Sequence, residues 1–151
     1  MTSSQSSNHK NSGVISPYGG TLVDLMASEE KKITIKANTN KKIECSDRNA
    51  CDIELLTIGG FSPERGFMHK ADYEAVVESN RTTSGYLFGL PIVMDTDRDD
   101  ILIGDRILLT YKGQELATLL VEDKWEPNKV LEAKGCYGTT SLEHPAVRMI
   151  A

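Results

Sequence analysis

The chain has 151 residues, 39% hydrophobic and 26% charged, with a formal net charge of -5 at neutral pH. That is length enough for one domain with its own core, and the composition excludes a wholly disordered or collagen-like chain. The acidic excess argues against nucleic-acid binding by the whole surface, because affinity for phosphates comes mainly from Lys and Arg.

Residues 1–13 form a polar tail: Met1 to Ser12 carries no apolar residue after Met1 and cannot offset its own ordering entropy, so disorder is expected there. The start lacks the regions of a signal peptide, and no apolar run approaches the ~20 residues of a membrane span. A cytoplasmic protein without membrane contact is therefore expected. A domain over residues 14–151 follows the tail.

Ser16 to Gly20 reads as a turn, followed by an apolar patch of one helical turn at Leu22, Val23, Leu25 and Met26. Lys32 to Ala37 alternates Ile33 and Ile35 with polar residues, which predicts a half-buried strand. Lys31, Lys32, Lys36, Lys41 and Lys42 could serve RNA or a small anion. Glu29, Glu30 and Glu44 dilute their field, however, and no aromatic is interleaved for stacking, so a solvated face is preferred.

Ser46 or Asp47 caps a predicted helix to about Ile58, with Cys51, Leu55 and Ile58 on one face. The stretch Asp52 to Met68 is the most constrained of the chain. Leu55, Leu56 and Ile58 require a core, Gly59 and Gly60 end the helix, and Pro63 fixes a turn that folds Phe61, Phe67 and Met68 onto one apolar cluster. The glycine pair is no phosphate loop, since no Lys follows a second spaced Gly. A second helix from about Lys70 to Asn80 places Tyr73, Val76 and Val77 on one side.

Strands are predicted at Leu90 to Met94, Ile101 to Ile103, Ile107 to Tyr111 and Leu116 to Val121, with a hairpin turn at Lys112-Gly113. Asp95, Asp97 and Asp99 alternate as in a calcium loop. The match fails where such a loop needs Gly and Glu, because Asp100 and Arg106 stand there. Trp125-Glu126-Pro127 opens a predicted helix that Gly135 closes, and His144-Pro145 starts another. Met149 and Ile150 carry no terminating signal, so further chain is expected beyond them.

The chemistry-bearing residues are sparse. His9, His69 and His144 are too scattered to propose a metal cluster, and Cys45, Cys51 and Cys136 give an odd count without a CxxC pair, which favours reduced thiols. Asn80-Arg81-Thr82 matches a glycosylation acceptor, which carries no meaning in a cytoplasmic chain. No nucleophile motif or Gly-rich helix opening for a nucleotide appears. By pattern alone the fold class is α+β.

Five separated segments, in order, carry a resemblance: Pro17 to Leu25 (PYGGTLVDL), Gly59 to Met68 (GGFSPERGFM), Leu90 to Asp95 (LPIVMD), Ile103 to Leu109 (IGDRILL) and Tyr137 to Val147 (YGTTSLEHPAV). Together they resemble the N-terminal domain of the ATP sulfurylases (sulfate adenylyltransferases). The resemblance implies a PUA-like fold, a curved β barrel or pseudobarrel with flanking helices. It also implies a homo-oligomeric parent enzyme that turns ATP and sulfate into adenosine 5'-phosphosulfate and pyrophosphate. The Arg-Asn-Pro and His-x-x-His segments of that family belong to a following catalytic domain and do not occur here. No catalytic, cofactor-binding or metal residue is therefore carried over; ATP and Mg are expected on the rest of the parent. This chain is expected to be structural, with the catalytic domain of the same enzyme as its partner. The alternative is a free-standing module binding RNA or a small anion.

Overall fold

A computed structural model describes residues 13–151; the polar tail expected over residues 1–13 lies outside them but for Gly13. Among the described residues the element order is α1 (Glu29–Ala37), β1 (Lys41–Glu44), α2 (Asp47–Thr57), α3 (Lys70–Ser79), β2 (Arg106–Tyr111), β3 (Gln114–Leu120), α4 (Lys129–Tyr137) and α5 (Pro145–Ile150). This is an α+β arrangement. Its sheet is mixed, in the order β1-β2-β3, with β1 parallel to β2 and β2 antiparallel to β3. No helix among the described residues is long and apolar enough to cross a membrane.

The β2–β3 hairpin turns at the expected pair. Lys112 and Gly113 both take positive φ, 49° and 78°, as a two-residue turn matched to strand twist requires. β2 forms the centre of the core, with Ile107 and Leu109 each 1% exposed and packed with Ile53, Ile101 and Val121. A second cluster joins Leu56, Met68, Val76 and Ile92, and Phe67 packs against both. A third ties α4 to α5 through Ala133, Val147 and Ile150.

Several expectations are corrected. Residues 32–37 are helical within α1, not a strand. The Ser28 side chain accepts from the Lys31 N–H, Glu29 and Glu30 occupy the first turn and Lys36 the last, all favourable to the helix dipole. Ile33 is 76% exposed, so no core enforces the alternation that suggested a strand. The strand is instead the polar Lys41–Glu44, held by its ladder to β2.

Helix α2 buries Asn49, Ala50, Ile53 and Leu56, whereas Cys51, Leu55 and Ile58 face outward. Leu22 to Met26 is not helical, and only Val23 of that patch is buried. Leu90 to Met94 forms no strand, with Leu90 in a bend and residues 91–94 in no ladder, although the Met68 N–H donates to the Ile92 carbonyl at 2.8 Å. Ile101 to Ile103 leads into a turn and forms no strand. α4 begins at Lys129, with Asn128 rather than Trp125-Glu126-Pro127 at its start, because the Asn128 side chain accepts from the Leu131 N–H. It runs through Gly135 and stops at Gly138.

The constrained stretch behaves as a turn, as its residues suggested. Ser62 Oγ donates to the Gly59 carbonyl at 2.7 Å and accepts from the Val23 N–H at 2.9 Å. Gly59, at φ 84°, lies against the Val23 carbonyl, so a side chain there would meet backbone as well as strain. Phe61, Phe67 and Met68 do join one cluster.

Candidate functional site

A cavity of about 730 Å³ lies between the outer part of β3, the segment from Val93 to Asp97, and the facing turns of α3 and α4. Its volume falls within the range of small-molecule sites. Apolar walls come from Phe67, Met68, Met94, Ile101 and Val121, and an aromatic wall from Tyr73 and Trp125, whose ring centroids lie 5.7 Å apart.

The segment just after β3 ties the site to α3. Asp123 Oδ2 accepts from the Lys70 N–H at 2.9 Å, giving the first turn of α3 the negative charge its dipole favours. Glu122 Oε2 lies 3.2 Å from His69 Nε2, so His69, at the N-cap, pairs sideways and does not cap with its own side chain. Lys124 turns back, its Nζ donating to the carbonyls of Ile101 and Arg98 at 3.0 and 3.2 Å.

One turn along α3, the Tyr73 O–H donates to Glu132 Oε2 at 2.6 Å. Tyr73 and Glu132 are each 4% exposed. Burial first, then the hydrogen bond and the charge of Glu132, push the Tyr73 phenol well above its usual range, so it stays a proton donor. α4 is unusual in that it buries this acid and leaves Val130 and Leu131 outside, 65% and 56% exposed.

The other weighed residues are dispersed. Lys32 pairs with Glu29, Lys36 with Glu115 and Lys41 with Asp105 at 2.6, 2.5 and 2.7 Å, so three of the five weighed lysines are held by separate carboxylates. In the acidic loop, Arg98 bridges both oxygens of Asp100 at 2.9 and 2.6 Å and donates to the Lys42 carbonyl. Among the described residues, no group of three or more His, Cys, Asp or Glu is placed to hold a metal ion. His144 packs against Tyr137, ring centroids 5.4 Å apart, while His69 faces Glu122; His9 lies outside the described residues. Cys45, Cys51 and Cys136 are all free thiols.

Sequence reasoning missed the Tyr73–Glu132 pair and the cavity it borders. The two residues are 59 apart, and the only local sign was one acid flanked by Leu131 and Ala133.

Comparison with known proteins places these features. A family model described as a PUA-like domain matches residues 15–151. Among curated proteins, the chain is similar to a sulfate adenylyltransferase of Chaetomium globosum, 43% identical over 145 residues, covering 89% of this chain and 25% of that protein. It is likewise similar to a sulfate adenylyltransferase of Persephonella marina, 38% identical, covering 91% of this chain and 37% of that protein. Among solved structures, it is similar to a hexameric APS kinase from Thiobacillus denitrificans, with a TM-score of 0.66 and 31% identity over 76% of this chain and 24% of that one. The chain thus spans about a quarter to a third of the length of the curated relatives it matches.

Proposed function

Because the chain belongs to the PUA-like domain family, we propose that it serves as the N-terminal domain of a sulfate adenylyltransferase. In this reading it is structural, not catalytic by itself, and packs against a catalytic domain that performs the ATP and sulfate chemistry. The observation that carries the proposal is the similarity to sulfate adenylyltransferases along nearly the whole of this chain but only 25% of the Chaetomium globosum protein.

The geometry supports a docking role. Around α4 and α5, Val130, Leu131, Leu142 and Met149 are each more than half exposed, 56–68%, which suits a surface meant to be covered by the rest of a longer protein. ATP and Mg belong, in this proposal, to that remainder. In this reading no residue of the chain is assigned to either. The curved barrel or pseudobarrel is part of the same proposal, supported by the mixed sheet and by the hydrogen bond from the Met68 N–H to the Ile92 carbonyl. So are a homo-oligomeric parent and a cytoplasmic setting.

The test is ATP formation from adenosine 5'-phosphosulfate and pyrophosphate. The purified chain should give no signal above background, and should bind the separately purified remainder of the Chaetomium globosum relative, less tightly once Leu131 and Met149 are replaced by Glu. A robust signal proportional to this chain alone would overturn the non-catalytic reading, and failure to bind that remainder would overturn the docking role.

A further inference from the structure

The cavity beside α3 and α4 has a polarity that docking leaves unused. Glu132 lines it while 4% exposed, and its carboxylate meets one protein donor among the described residues, the Tyr73 hydroxyl. A single neutral donor leaves a buried negative charge uncompensated, which is costly unless a cation completes the pair. Tyr73 cannot supply that charge, being neutral as a donor.

The surroundings match a positive ligand. The lining carries six carboxylates, Asp95, Asp97, Glu126 and Glu132 among them, against three bases, Arg65, Lys124 and Lys129, and Lys124 is engaged with backbone carbonyls. The Tyr73 and Trp125 rings supply faces of the kind that attract cations and stack on flat apolar groups. A purely apolar ligand would leave the Glu132 charge unpaired, and an anion would be repelled by it. We infer that this cavity is a binding site for a small organic cation, an amine or amidinium on an apolar body. The positive end pairs with Glu132, and the body lies against Trp125, Phe67 and Met94.

Trp125 is the single tryptophan of the chain and therefore reports on its own site. The 151-residue chain is titrated with 2-phenylethylamine and benzamidine, and with the neutral 2-phenylethanol, while its fluorescence is followed. Saturable changes are expected with the cations, with 2-phenylethanol about tenfold weaker or worse, as fits loss of a charge-assisted hydrogen bond. Glu132→Gln should weaken the cations by a similar factor and leave the alcohol unchanged. If Glu132→Gln fails to fold, the ratio between amine and alcohol on the unaltered chain decides the question. Equal affinity for amine and alcohol, or no saturation with either cation, would overturn the proposal.

Discussion

Gly135 of α4 faces the Val77 carbonyl of α3 so closely that a Cβ at residue 135 would overlap that oxygen. The two helices therefore meet at the backbone, which brings Glu132, one turn earlier, within reach of Tyr73. Gly135→Ala improves intrinsic helix propensity by up to about 1 kcal/mol, yet must push the helices apart. A net loss of about 1–3 kcal/mol is expected from the overpacking, measured by urea unfolding. Gly89→Ala, with nothing near the added methyl, serves as the control and should be nearly neutral.

Phe67 joins two clusters, one built on β2 and the other on Leu56, Met68 and Val76. It is only partly buried, so truncation loses less than a sealed core position would. Phe67→Ala should cost about 3 kcal/mol, the lower end for aromatic truncations. An unchanged melting temperature would show that the two clusters are not coupled through this ring.

These two positions show where the sequence was legible. The apolar sequence around Phe67, punctuated by Gly and Pro, announced a turn folded onto a core, because those residue types have few other uses. Gly135 was read as a helix end because Gly most often serves there; the carbonyl it accommodates belongs to residue 77 and leaves no local mark. The same holds for the strand β1, whose Lys-Lys-Ile-Glu sequence pairs through backbone bonds that side-chain periodicity does not reveal. Ile33 and Ile35 erred the other way, since alternation implies a strand only when one face is buried. At the site, the aromatic and acidic residues were visible singly, but their convergence depends on the α3–α4 approach.

Asp105 leads into β2 and fixes it to Asn40 and Lys41. Its carboxyl is held down to about 2 by hydrogen bonds from Lys41, from the Leu102 N–H and from Asn40, largest first. A depressed carboxylate contributes stability above its unfolded value and loses it as pH falls through the folded one. The acid limb should therefore decline between about pH 4, the ordinary Asp value, and about 2. Asp105→Asn should lower the melting temperature near neutral pH and flatten that decline, as followed by thermal unfolding across the acid range. A variant whose acid limb matches the parent's would remove Asp105 from this role.

Tyr73 shows the opposite dependence. Its phenol is raised by burial and by Glu132, so the folded state retains a proton that the unfolded chain releases near the ordinary tyrosine value of about 10. Its contribution is full below that pH and is lost progressively as pH rises above it. Tyr73→Phe keeps the ring against Trp125 but strips the donor from Glu132, leaving a buried carboxylate without a protein partner. A loss of about 1–3 kcal/mol is expected near neutral pH, and the alkaline decline should be shallower than in the parent. Alkaline denaturation curves of the two proteins read both effects at once. Parallel curves displaced by a constant amount would mean that the hydrogen bond matters while the phenol's titration does not.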